Sequence, residues 1–247
     1  MSIADISELH ANRPELYDAF SNDRDFAAQC RELAQLCPQC PTTSLELFAG
    51  PARHTAELLQ SGVQRGFCVD GSPAMKSLAV NSFGINHSDY LHKWLPDPLD
   101  DIEEGSIDLF LMVRYAACRL IHADLHQLLQ VCQRKASANA TLFLELHKLS
   151  DVLGDFEALP IKERATSDDV FCRWPSEKPV CSSEGWLFDL NVEITHQGEV
   201  YNYNSREYIY TLADIRFMGH LLGLHIEVVD NSLIPSFGDT LMLKIHF

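Results

Sequence analysis

The chain has 247 residues, 46% of them hydrophobic, and sets 19 Lys and Arg against 35 Asp and Glu for a formal charge of −16. That length suits one large α/β domain with a lid better than two independent enzymatic domains. So acidic a surface repels phosphate backbones and anionic headgroups, which counts against nucleic acid and membranes as partners. No basic start precedes an apolar stretch and no run of about 18 apolar residues occurs, so a cytoplasmic protein is expected. Its eight cysteines then read as reduced thiols. Only Cys37-Pro38-Gln39-Cys40 has a metal-like spacing, and a structural zinc needs two further ligands that stand nowhere near it; no metal is expected.

In chain order, residues 14–20 and 23–36 carry apolar side chains at helical spacing until Pro38 and Pro41 end the pattern, giving a helical segment over 1–41. Residues 44–48 read as a buried strand. Ala49, Gly50 and Ala52 then make a tight turn in which a ligand can touch backbone, and residues 55–60 read as the following helix. A second parallel strand over 67–70 ends on Asp70, twenty residues past Gly50, where a carboxylate is placed to accept from both hydroxyls of a ribose. Ser72 and Pro73 cap and start the next helix.

A third strand is read at 85–91, followed by a loop through Pro96 and Pro98 and a solvated acidic stretch, Asp100, Asp101, Glu103 and Glu104. Residues 107–113 are almost continuously apolar around Asp108, as a central parallel strand covered on both faces requires. A helix over 123–134 and a fifth strand over 141–146 complete a cofactor-binding core assigned to 42–147. The pattern loosens over 148–179. Trp186, Phe188, Leu190, Val192 and Ile194 then alternate with mostly polar neighbours, a turn falls at Gln197-Gly198, and Tyr201, Tyr203, Ser205, Tyr208 and Tyr210 follow. This is an antiparallel hairpin, and residues 148–210 are expected to cover the substrate. Residues 211–222 return to helix between the N-cap Thr211 and the stop Gly223, and strands over 224–229 and 240–247 close the final segment, 211–247.

With these parts in this order the chain resembles the class I S-adenosylmethionine-dependent methyltransferases of the small-molecule type over nearly its whole length. The resemblance is carried by Glu46 to His54, by Val69-Asp70-Gly71-Ser72-Pro73-Ala74-Met75, by His87-Ser88-Asp89-Tyr90, by Asp108, and by Glu207 to Asp214 followed by Leu221-Leu222-Gly223-Leu224. It implies a Rossmann-like fold: a mostly parallel seven-stranded sheet with helices on both faces, a terminal antiparallel strand pair and an inserted antiparallel lid. It further implies S-adenosyl-L-methionine as cofactor, with Glu46 and Gly50 by its methionine part, Asp70 and the adjoining Gly71 at the ribose, Met75 packed on the adenine, Asp89 at the adenine amino group with Tyr90 beside it, and Tyr17 reaching in from the N-terminal segment. Phe48 and Ala52 depart from the pattern, standing where two glycines are usual, and Phe48 narrows the site. A nicotinamide-binding domain fits less well, since Gly50-Pro51-Ala52-Arg53-His54-Thr55 supplies only the first glycine of G-x-G-x-x-G.

The activity expected is in-line methyl transfer to N, O or C of a small-molecule acceptor; a non-catalytic module binding S-adenosylmethionine or S-adenosylhomocysteine is the alternative. His147, one residue past the fifth strand, is the candidate general base, against a plain reading as a solvated loop histidine; His54 and His122 rank below it. Arg114 and Tyr115 follow the fourth strand at the edge where open α/β sheets bind ligands. Arg114 grips either a substrate carboxylate or a helix carboxylate. Arg206 and Tyr208 are the hairpin's candidates for contact with substrate.

Overall fold

The computed structural model of the chain describes residues 3–148, 150, 163–166, 170–183 and 185–247. It opens with a short strand, β1 (Ala4–Asp5), and three helices: α1 (Ile6–Asn12), α2 (Pro14–Ser21) and α3 (Phe26–Leu36). The Asp5 and Asp25 side chains accept from the amides of Ser7 and Ala28 and so cap α1 and α3, while Pro14 sits at the start of α2 where no N–H is needed. The sequence pattern had shown neither β1 nor α1.

The core then alternates β2 (Thr43–Leu47), α4 (Arg53–Gln60), β3 (Arg65–Asp70), α5 (Pro73–Phe83), β4 (Tyr90–His92), β5 (Ile107–Met112), α6 (His122–Lys135) and β6 (Ala136–Leu146). After it come the lid strands β7 (Glu163–Thr166), β8 (Val170–Arg173), β9 (Val180–Cys181), β10 (Leu187–His196) and β11 (Glu199–Tyr208), then α7 (Leu212–Leu222), β12 (His225–Val228) and β13 (Leu241–His246). The main sheet has seven strands in the order β12-β13-β6-β5-β2-β3-β4; β13 runs antiparallel to both its neighbours, and the pairs from β6 to β4 are parallel. This is the Rossmann-like arrangement expected. Alternate residues of β5 feed the two sides of the sheet: Phe110 and Met112 join one apolar cluster, Leu109, Leu111 and Val113 the other. Each such buried side chain contributes about 1.5–3 kcal/mol, which holds the central strands as a rigid base.

A second sheet, β1-β11-β10-β8-β7 with β9 on β10, forms the lid. Gln197 and Gly198, both at positive φ, join β10 to β11 in the tight turn expected there. β1 pairs in parallel with β11, so the start of the chain completes the lid sheet that the later insertion begins. Residues 151–162, within the segment where the sequence pattern loosens, lie outside those described. Thr211 and Asp214 form a reciprocal capping box on α7 and Gly223 ends it at φ 69°, as the sequence indicates. Among the described residues no helix is long and apolar enough to cross a membrane.

One register differs. The third core strand is only β4, and its partner pairs are Cys68 with Tyr90 and Asp70 with His92. A turn closed by the Asp89 amide on the Asn86 carbonyl delays the strand's start, so Asp89 lies at the amino edge of the sheet. Three residues of strand, roughly 10 Å, separate it from the level of Asp70.

Candidate active site

Between the carboxyl edge of the main sheet and the lid lies a cavity of about 1010 Å³. One end is built by the turns after β2 and β3. Gly50 turns at φ 52°, and Phe48 (φ 55°) and Ala52 (φ 59°) hold the same left-handed conformation without being glycines. The loop shape is therefore retained at a cost of about 1–2 kcal/mol for each of those two side chains, and the Phe48 ring packs on the larger apolar cluster while bordering the cavity. The Asp70 carboxylate accepts from the Gly50 amide at 3.0 Å and the Ser72 amide at 2.8 Å, one on each oxygen. A carboxylate has about four acceptor positions, so two stay open, side by side. Burial raises the Asp70 pKa above its ordinary 3.8, with the two amides pulling the other way.

Glu46 is buried at the foot of the same loop. Its carboxylate accepts from the Thr55 amide at 2.9 Å and the Thr55 hydroxyl at 2.7 Å, and meets His54 Nδ1 at 3.0 Å, so it caps α4 and keeps one acceptor position. His54 Nε2 is taken up by Gln29 at 2.9 Å. Around these carboxylates the cavity is bordered by Gly50, Gly71, Met75 and Tyr17, and a Cβ added at Gly50 would touch Tyr17 at 3.7 Å. Trp94, 67% exposed, lays its ring across Gly71 so closely that a Cβ there would fall 2.7 Å from it. Trp94, absent from the residues the sequence pattern points to, stands two residues past the end of β4 and borders the cavity.

Three of the expected residues do not line the cavity. Asp89 pairs with Arg65 at 2.8 Å on the amino edge and does not border the cavity. Tyr90 is buried beneath the loop, its hydroxyl donating to the Gly50 carbonyl at 2.6 Å, and braces the turn from below. Tyr208 also lies off the cavity, edge-on to His122. Strand alternation is the reason: β11 turns Tyr203, Ser205 and Glu207 inward, so Tyr208 and Arg206 fall on the other parity. Arg206 touches the cavity's border with a side chain 58% exposed and directed at Asp189, 3.6 Å away.

The far end of the cavity is polar and buried. Arg114 (φ 57°) and Tyr115 (φ 60°) follow β5 in a strained double left-handed turn, held by the Arg114 amide donating to Glu145 at 2.5 Å. The Arg114 guanidinium pairs at 3.0 Å with Asp23, which lies in the loop between α2 and α3 and not on a helix. Arg24 forms a two-pronged bond to Glu145 at 2.8 and 2.9 Å. Tyr115 stacks on His147 with ring centres 4.0 Å apart and planes 14° from parallel. Glu207, 4% exposed, accepts from Trp174 Nε1 at 2.9 Å and the Ser205 hydroxyl at 2.6 Å, with Arg119 at 3.6 Å. Burial opposes its charge, yet Arg119 and His147 outweigh this and hold it below the ordinary carboxylate pKa. Burial, supported by Arg119 and Arg24 against Glu207 and Glu145, lowers the His147 pKa below 6.5.

No family model and no curated protein sequence matches the chain. Solved structures do. An S-adenosylmethionine-dependent methyltransferase from Clostridium acetobutylicum superposes with TM-score 0.71 at 15% identity over 92% of each chain. DesVI of Streptomyces venezuelae gives 0.72 at 12% identity over 95% of this chain and 98% of its own. The sugar N-methyltransferase KedS8 of Streptoalloteichus gives 0.66 at 14% identity over 93% and 92%. The fold is that of the S-adenosylmethionine-dependent methyltransferases. The likeness spans nearly the whole of both chains.

Proposed function

We propose that the chain transfers the methyl group of S-adenosylmethionine to a small-molecule acceptor. The observation that carries this reading is the Asp70 carboxylate, fixed by the Gly50 and Ser72 amides with one acceptor position open on each oxygen. A vicinal diol of a ribose fills such a pair. The donor set fits the rest of the cofactor: the open Glu46 position suits the methionine ammonium, Met75 and Trp94 offer apolar faces to the adenine, and Gly50 and Gly71 admit close approach of backbone.

When bound, the cofactor supplies a sulfonium methyl already activated for in-line displacement. The chain's part is to align the acceptor, exclude water and take a proton. His147 is the group placed to take it: its ring is clamped by Tyr115, and its lowered pKa keeps it neutral near pH 7. The solved relatives support a small acceptor: KedS8 is a sugar N-methyltransferase, and an amino pentose methyltransferase and a glycopeptide N-methyltransferase share the fold; the acidic surface disfavours nucleic acid. Calorimetry with S-adenosylmethionine, followed by radiolabelled methyl transfer into a metabolite extract, tests the proposal. Saturable binding with label in small molecules supports it; absence of binding, or binding with no transfer, overturns the enzymatic reading.

A further inference from the structure

Resting on that reading, we infer that the acceptor atom is the nitrogen of a primary or secondary amine, held between Glu207 Oε2 and His147 Nε2. The two Glu207 oxygens are used unequally. Oε1 takes the Trp174 and Ser205 donors with Arg119 alongside, and Ser205 in turn accepts from Arg119 at 2.6 Å, so the carboxylate is fixed in orientation and in charge. Oε2 faces His147 Nε2 across 3.8 Å. That gap is too long for a hydrogen bond. The Cys118 thiol, whose sulfur lies within 4.8 Å of both groups, is a weak donor that hydrogen-bonds the same carboxylate.

With His147 acting as the base, the gap presents two acceptors and asks for a group with two N–H or O–H bonds to give. A hydroxyl or thiol has one proton, so bonding His147 turns its lone pairs toward the Glu207 carboxylate. An ammonium satisfies both and cancels the carboxylate charge. The geometry agrees. An atom about 2.9 Å from each acceptor, the usual N–H···O length, subtends about 82° over the 3.8 Å gap. Against a tetrahedral angle of about 109°, each bond then bends by only about 14°, well inside the range in which hydrogen bonds stay strong.

The step balances. One proton of the ammonium passes to His147 Nε2, freeing the nitrogen lone pair; that pair forms the N–CH3 bond while the S–CH3 bond breaks with both electrons going to sulfur. The amine leaves as its methylammonium, the cofactor as the neutral thioether, and the proton on His147 is returned to solvent. A methylated secondary ammonium still has two N–H bonds and can be turned over again. A tertiary ammonium has one and cannot span the gap, so methylation stops at the dimethyl product.

The test is a metabolite extract split at pH 7 on a strong cation exchanger, each half incubated with S-adenosyl[methyl-3H]methionine and the products examined by mass. Label entering the retained, cationic half as mono- and dimethyl products supports the inference. Label confined to flow-through products whose new methyl sits on oxygen, sulfur or carbon, or any trimethylated product, overturns it while leaving the methyltransferase reading intact. No label in either half, with cofactor binding by calorimetry, overturns both. Glu207→Gln keeps the volume and removes the charge, and is expected to lower kcat/KM for the retained acceptor about 10- to 150-fold with the cofactor Kd within twofold. An unchanged kcat/KM refutes the role given to Oε2; should that variant not fold, the methylation count decides alone.

Discussion

Replacing Asp70 with Asn keeps the side chain's size and changes only what it can accept, which makes it a clean probe of the cofactor site. In the native protein each oxygen accepts one backbone amide, from Gly50 at 3.0 Å and Ser72 at 2.8 Å, and has one position left. Asparagine converts one oxygen to NH2. That group meets a backbone N–H on one side and offers the diol a donor instead of an anion on the other. Hydrogen bonds to a charged group contribute about 1.5–3 kcal/mol each; two ribose hydroxyls are therefore worth about 3–6 kcal/mol, and losing the lower figure weakens binding roughly 150-fold. Isothermal titration calorimetry with S-adenosylmethionine and S-adenosylhomocysteine is expected to show both losing at least 100-fold in Kd, since both carry the same ribose. A change below threefold for either ligand refutes the assignment of Asp70. Acid should act in the same direction: burial raises this pKa above 3.8, so the charged form is lost, and binding falls, at a higher pH than for an ordinary aspartate.

His147→Gln is expected to lower kcat by about 10²–10⁴-fold with the cofactor Kd within twofold; equal loss in both would mark a structural residue. Because burial, Arg119 and Arg24 depress the His147 pKa against the pull of Glu207 and Glu145, its base form persists below pH 6.5, and the acid limb of the kcat profile should have its midpoint under that value. A midpoint above 6.5 contradicts this. Gly71→Ala drives a Cβ to within 2.7 Å of the Trp94 ring, so the ring must shift, and Trp fluorescence should change together with a weaker cofactor Kd; binding at native strength would show that Trp94 covers nothing the ligand uses. Arg24→Met leaves Glu145 charged and buried without its two-pronged partner. Loss of one member of such a pair costs about 3–5 kcal/mol, and calorimetric melting should drop by roughly 6–20 °C.

Much of this protein is written in local pattern. Alternation of β and α segments, the Ser72 and Thr211 caps, Gly223 at the end of α7 and the Gln197-Gly198 turn are all settled by residues within a few positions of one another, and the fold contains each. Asp70 belongs here too, because a carboxylate at the end of a parallel strand beside a tight turn can only stand at the carboxyl edge. Register and parity were decided elsewhere. Asp89 went to the amino edge because β4 pairs with β3 from Tyr90 onward, a choice made by the neighbouring strand. Glu207 is turned into the cavity, with Tyr208 off it and Arg206 only at its border, because β11 is locked by ten paired residues on β10, and a shift of one residue would reverse this parity. The left-handed turns at Phe48, Ala52, Arg114 and Tyr115 are likewise invisible to residue preference: side chains that resist that conformation hold it because the Arg114 amide donates to Glu145, the Gly50 amide to Asp70 and the Tyr90 hydroxyl to the Gly50 carbonyl around them. Short-range chemistry thus chose the elements and one binding carboxylate, whereas the acceptor end, assembled from β6, β11 and the turn after β5, exists only once distant strands have found their register.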